Sequence, residues 1–547
     1  MPDRIESFKV ICRGGLNSNE NSLDLAENEP GSATRLVNYE PSLFGGYRRI
    51  EGFEAFDPDY PEVDDGSGSA EGKVLCVAFY RNEQQGNPYV IAARKDVGAD
   101  TYSFYKHVPL VGWQKMNSGL TQATTDGTRS VQKIRHVQFD FGDGNQIAFV
   151  DGVNPAKVFD GVDWYEITAS GDGTPTTPGG PQAVDAPSLV DVFENHLFLG
   201  GDLSTRAVVC HSAPNNPLDF GSGAGAGQLP VGFNVVQFKP FRDNLFVFGS
   251  NAIKRIQPDV QAGFVLEQVT ANVGCIARDS VQEIGGDLIF LAPDGFRPVA
   301  GTSRIGDVEL ETISKPVQGR LLQIIEENDL DTLNGVVVRS KSQARFFVGD
   351  DSVDRINSIG ILGGLTNRGG QIEWEYGDLL GIRASCTASE YIGREEFVLH
   401  GDYDGKVYRQ EVGSSFDGSD IVSIYSTPFL DFGDTEVRKV LHKINTFIRA
   451  EGPFTLNLSL TYDWADPEIV RPSSYQQSST GAPPVYAGRT ITYGGENVQY
   501  GGSSKPVMLS DIQGSGYSAR ATFVTVGQDA PHSIQGMVFE FALAGRR

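Results

Sequence analysis

Between residues 74 and 421 the chain alternates short apolar runs with turns of Gly, Asp and Asn. "NPYVIAARKDVGADTYSFYK" from 87, "GNQIAFVDGVNPAKVFDG" from 144, "ENHLFLGGDLSTRAVVC" from 194 and "RDNLFVFGSNAIKRI" from 242 share this plan. So do "GGDLIFLAPDGFRPV" from 285, "SQARFFVGDDSVDRINSIGI" from 342 and "REEFVLHGDYDGKVYRQ" from 394. In each, a polar turn leads into an outbound strand, a Gly/Asp/Asn tip reverses it and a return strand follows, which is hairpin chemistry. Setting the outbound strands on Val90, Ile147, Leu197, Leu245, Leu288, Phe346 and Phe397 gives steps of 57, 50, 48, 43, 58 and 51 residues. A four-stranded propeller blade takes about 40 to 50 residues, and the longer steps leave room for loops. One hairpin cannot bury an apolar face, whereas blades closed about an axis bury both faces and keep their edges short. The pattern predicts an all-β chain with a β-propeller of about seven blades over 72–421. An array of β-sandwiches with similar hairpins is the competing arrangement.

The flanks read differently. Residues 1–71 hold the short strand-like pieces "FKVIC" and "TRLVNYE" and close on the turn-rich "YPEVDDGSGSAEG", which predicts an N-terminal arm and linker. Over 422–547 the strands lengthen, and in "FTLNLSLTY" Phe454, Leu456, Leu458 and Leu460 alternate with polar residues, so one face is buried and one wet. This predicts a C-terminal antiparallel β-sandwich. A Gly/Ser/Tyr-rich stretch over 471–506 reads as a long exposed loop, and its Tyr475, Tyr486, Tyr493 and Tyr500 are candidate subunit contacts. One short connector helix is expected in "SKPVQGRLLQIIEENDLDTLNG" from 314. Ser314 is positioned to cap it, Pro316 sits in the first turn, Val317, Leu321, Ile324 and Ile325 share a face, and Asn334-Gly335 offers a stop.

Composition agrees with β structure: 65 Gly and 28 Pro break the chain, while 32 Phe and 19 Tyr favour strands. Seventy acidic residues against 45 basic ones give a net charge of −25, which argues against a surface that grips phosphate backbones. The five cysteines, Cys12, Cys76, Cys210, Cys275 and Cys386, are far apart, lack any CxxC and read as free core thiols suited to a reducing cytosol. The N-terminal sequence has no apolar stretch of signal-peptide kind, and no segment reaches the roughly 20 apolar residues of a membrane span, so stable membrane insertion is not expected.

The chain contains no GxSxG, HExxH, phosphate-loop or dinucleotide-binding pattern. In "HGDYDGKV" Asp402 and Asp404 alternate before Gly405 as at the start of a calcium loop, yet no glutamate closes the far end, so a hairpin turn is the reading. We assign no catalytic, cofactor or metal residue and expect no enzyme.

"LFVFGSNAIKRI" from 245, followed by "VGCIARDSVQEIGGDLIFLAPDGFRPVAG" from 273 and then the helix, resembles the propeller region of tail hub or nozzle proteins of short-tailed bacteriophages. That group includes the P22-type hub and, more distantly, the T7-type tubular tail protein. "RGGLNSNENSLDLAENEPGSATRLVNYEPSLFGGYRRIEGFEAF" from 13 looks like their N-terminal region, and "TPFLDFGDTEVRKVLHKI" from 427 resembles the beginning of their C-terminal sandwich. No large insertion similar to the fibre-docking and tip domains of the longer T7-type nozzles is present, a departure from those proteins that leaves a place at the distal tip an open question. The resemblance implies a virion protein made in the host bacterial cytoplasm. It implies a ring, usually a homohexamer, below the portal and adaptor proteins, next to tail fibres or spikes, with DNA only as passing cargo during genome ejection. Six copies would carry −150, and an acidic lumen would let DNA slide. The alternative is a propeller carbohydrate-active enzyme or a receptor-binding adhesin, although four widely separated Trp residues make a poor sugar platform.

Overall fold

The structure, a computed structural model, describes residues 5–64, 72–81, 88–96, 98–116, 122–261, 263–299, 312–349, 354–466, 471–479 and 506–546. Seven antiparallel units follow one another around an axis. Blade 1 is Val74–Tyr80, Tyr89–Lys95, Tyr102–Val108 and Gly112–Lys115; blade 2 is Arg135–Asp140, Asn145–Val150, Ala156–Phe159 and Trp164–Ile167. Blade 3 is Leu189–Phe193, His196–Gly200, Val208–His211 and Gly227–Pro230; blade 4 is Val235–Phe241, Asn244–Gly249, Ile253–Asp259 and Gly263–Thr270. Blade 5 has three strands among the described residues, Gln282–Ile284, Asp287–Ala292 and Gly295–Pro298. Blade 6 is Asn334–Val338, Gln343–Val348, Ile359–Arg368 and Gln371–Leu380. Blade 7 is Cys386–Ile392, Glu395–Gly401 and Val407–Gln410, completed by Phe53–Ala55 from the N-terminal segment.

The fold is thus the expected all-β propeller. Its complete four-stranded blades number six against the expected figure of about seven, and the three-stranded unit holds the remaining position. Val90, Ile147, Leu197, Leu245, Leu288, Phe346 and Phe397 each lie on the second strand of their unit, so the repeat was read in register. Continuous apolar runs such as Val74–Tyr80, buried along its whole length, form because neighbouring blades cover both faces. Most gaps between blades hold their own cluster, with Phe104, Phe149 and Phe159 between blades 1 and 2 and Phe238, Leu245 and Val247 between blades 3 and 4.

The sandwich is present as predicted, but the N-terminal segment belongs to it. One sheet pairs Ile5–Ile11 with His532–Arg546, then Val437–Ala450 and Val507–Asp511, and takes in Tyr39–Pro41 and Tyr47–Arg49 at the end of His532–Arg546. The other runs Arg35–Val37, Ile421–Ser426, Ala519–Gly527, Phe454–Tyr462 and Tyr475–Ser479. A parallel step from Val37 to Asp378 joins this second sheet to blade 6, giving nine strands in a row. Residues expected to be an arm and linker therefore supply strands to blade 7 and both sandwich sheets. Their partners lie hundreds of positions away, beyond the reach of local pattern.

Two helices are described in place of the expected one. Helix α1, Ser22–Asn28, is capped by the Asn21 side chain, which accepts from the Leu23 N–H. Helix α2, Gln318–Glu327, follows a 3-10 turn at Lys315–Val317 and buries Leu321 and Ile324. Ser314 does not cap it; its hydroxyl accepts from the Phe296 N–H at 2.9 Å. The helix stops at Asn328, and Asn334-Gly335 opens the first strand of blade 6 instead of ending the helix.

Charge locks the two halves together. Glu40, almost wholly buried, accepts from Arg48 at 2.9 Å, Lys341 at 2.7 Å and Arg345 at 3.1 Å. Arg48 also holds Glu451 at 2.6 Å, while Arg345 and Lys341 both pair with Glu411 at the end of blade 7. Burial raises the Glu411 carboxyl, but Arg345 and Lys341 outweigh it and hold the group well below the usual carboxylate range. Ions buried this way gain little over an apolar contact, yet removing one partner strands the others.

Candidate functional site

The first candidate is the propeller axis. A cavity of about 160 Å³ is lined by residues of all seven units, among them Cys76, His136, Asp191, Lys239, Asp279 and Thr387. Lys133 and Arg135 both reach Asp279, at 3.2 and 2.8 Å, and Lys239 pairs with Asp191 at 2.9 Å. Burial raises the Asp279 carboxyl, but Arg135 and Lys133 override it and keep the group ionised far below the carboxylate range. Burial, reinforced by Lys133 and Lys239, pushes His136 down to about 4, so its ring is neutral beside Cys76, 3.4 Å away. Each cation here has a carboxylate partner, and the space holds on the order of ten waters. The axis of one propeller is a plug too narrow for any duplex.

The calcium-like turn is explained the same way. Asp402 accepts from Arg383 at 2.8 Å and from Arg355 at 3.0 Å, and Asp404 accepts from Arg383 at 2.6 Å. Guanidinium groups occupy the carboxylate oxygens, and the segment is the hairpin turn the sequence suggested. Among the described residues no set of three His, Cys, Asp or Glu side chains is arranged to hold a metal ion. All five cysteines are free and buried.

Of the four tyrosines, Tyr475 starts the edge strand Tyr475–Ser479, packs its half-buried ring against the sandwich core and accepts from the Gln513 N–H at 2.9 Å. Tyr486, Tyr493 and Tyr500 lie outside the described residues.

The outer face of the sandwich is more informative. Strand register places Ile11, Gly536, Phe447 and Val507 in one row and Lys9, Val538, Asn445 and Leu509 in the next. Leu509 is 68% exposed, and Ile5, Ile11, Phe447 and Leu543 are also exposed. Beside them the tip of the 42–46 hairpin presents Leu43 and Phe44, and the Arg449 guanidinium lies 3.7 Å over the Phe44 ring. The same face carries Lys9, Arg438, Lys443 and Arg449 against Glu540 and Asp511. An apolar centre with aromatic and Arg groups is the composition of a protein contact.

Its surroundings are nearly charge-balanced, unlike the rest of the chain. Residues 422–547 contain ten Lys/Arg and eleven Asp/Glu, whereas residues 1–421 contain thirty-five and fifty-nine. Nearly all the net negative charge therefore sits outside the C-terminal portion.

A second exposed apolar set lies on the propeller. Each meander begins and ends on the same face, so the turns between third and fourth strands emerge together on one rim. There Leu110 of blade 1 is 93% exposed, Val162 of blade 2 is 81% exposed and Val260 of blade 4 is fully exposed. Asp160 and Asp163 flank Val162, and Asp259 precedes Val260. Sequence alone held a clue to these tips, since apolar residues at hairpin turns serve no core.

No family model and no curated protein matches the chain. Among solved structures it is similar to an ancestral GH74 enzyme at 11% identity and a TM-score of 0.38, covering 68% of this chain and 51% of that one. It is also similar to Hsv2 of Kluyveromyces lactis at 12% identity and a TM-score of 0.29, covering 56% of this chain and 98% of that one. The chain thus spans about half the length of the GH74 enzyme.

Proposed function

We propose that the protein is a structural subunit of a short-tailed bacteriophage tail, one copy of a hub or nozzle ring through which the genome is ejected. The observation that supports this most directly is the pair of unlike exposed apolar surfaces, one cationic on the sandwich and one acidic on the propeller rim. A subunit that joins identical neighbours in a closed cycle needs two such patches. The plugged propeller axis fits this reading, because DNA would pass along the symmetry axis between copies and not through any single propeller. Portal or adaptor proteins above, and fibres or spikes beside the ring, are the further partners it implies. The test is to image virions in which this chain carries a label. Density on the tail axis below the portal is expected; label elsewhere, or none in the particle, overturns the assignment.

One observation favours a second reading, a receptor-binding adhesin. Trp464 is half exposed and stacks on Phe429 at 5.0 Å. It sits among three consecutive non-glycine residues with left-handed backbone, Asp463, Trp464 and Ala465. Saturable binding on a glycan array, lost in Trp464→Ala, would favour that reading over the ring.

A further inference from the structure

We infer that the outer face of the sandwich seats on the third-to-fourth-strand rim of the propeller of a second copy, so that copies associate head to tail. The inference rests on the ring reading above and names the two surfaces that would meet.

Three features single out a second copy as the occupant. The first is charge. The face carries four cations against two carboxylates, and nearly all the net negative charge of the chain lies in residues 1–421, so this protein's own propeller is the surface it complements. The second is shape and polarity. Ile11, Phe447 and Leu509 form a flat apolar patch, with the Val10 carbonyl packed against Gly536 between the first two, and the rim offers single projecting apolar side chains, Leu110, Val162 and Val260, the last two beside carboxylates. Apolar projections set on an apolar patch, ringed by opposite charges, are the arrangement in which a few residues carry most of the binding energy.

The third is placement. Blade 6 is continuous with the sandwich, and blade 2, which bears Val162, lies on the far side of the seven-membered circuit. The sandwich face and Val162 therefore lie well apart around the circuit. A face that met itself would give a closed pair, whereas two different, separate surfaces give a ring or a filament.

The experiment uses the full chain and two surface variants, with circular dichroism to show that both keep the β fold. One carries Phe447→Asp and Leu509→Asp on the sandwich face; the other carries Val162→Asp and Val260→Asp on the rim. Sedimentation of the wild type at low salt is expected to show concentration-dependent association beyond the dimer, weakened by added salt. Each variant alone should associate at least about a hundredfold more weakly. Mixed in equal amounts, the two should form a dimer and stop, because one intact pair of surfaces remains.

Three results overturn the inference: a rim variant that associates like the wild type, a mixture that stays monomeric, or a wild type that stays monomeric at every concentration and salt. A wild type that stays monomeric but binds duplex DNA through Lys9 and Arg449 likewise overturns it, in favour of a nucleic-acid surface. These outcomes are read on purified protein, so they are independent of where the label appears in the virion.

Discussion

Single side chains show how far burial has been traded against charge. His136, His400 and His532 sit where burial pushes their pKa values from 6.5 down to about 4, 3 and 3. Each keeps a neutral-state partner: Cys76 Sγ at 3.4 Å, the Gln410 amide at 3.3 Å and the Tyr39 hydroxyl at 3.0 Å. With the folded pKa below the unfolded one, only the unfolded chain binds the proton between those values. Stability is therefore complete above pH 6.5 and falls as the pH drops toward 4. If all three contribute, the slope approaches about 4 kcal/mol per pH unit. Denaturant titrations across that range should show it, and a pH-independent midpoint would contradict these placements. At this scale the sequence was legible where chemistry is local. Gly285 and Gly286 both take positive φ at the first turn of blade 5, and the isolated cysteines are free. It was not legible where a group's state depends on distant neighbours, as with Glu40, whose cations come from positions 48, 341 and 345.

Among elements, the second strands were the easiest to find, because a continuous apolar run bounded by turn residues has one interpretation once both its faces are covered. The strand Phe53–Ala55 was the hardest. Three residues carry no period, and their partners lie at 408–410. Phe53 is nonetheless buried and stacks on Phe416 at 4.9 Å, with the rings of His400 and Tyr408 edge-on. Phe53→Ala should cost about 3–5 kcal/mol of stability. Chemical denaturation of the purified variant measures it, and a loss under about 1 kcal/mol would show that the strand does not hold blade 7 closed. The end of helix α2 teaches the same lesson from the other side. Asn334-Gly335 has the composition of a helix stop, yet the Asn334 amide donates to the carbonyls of Thr332 and Ala384 and so fixes the start of a strand.

For the whole molecule, propeller and sandwich were legible as two patterns but not as one body. The nine-strand sheet and the buried cluster around Glu40 and Arg345 make them one body. Scanning calorimetry should accordingly give a single transition, and Arg345→Met, which leaves Glu40 and Glu411 short of a partner, should lower its midpoint. Two resolved transitions in the unaltered protein would contradict that coupling. The late docking of Phe53–Ala55 also bears on biosynthesis. A ribosome adding about 5–20 residues per second needs about 20 to 70 seconds to travel from that tripeptide to its partner strand near 410. Through that interval the nascent toroid stays ajar, and the sandwich strands that follow have yet to emerge. The toroid can therefore close only once residues 407–410 have left the ribosome.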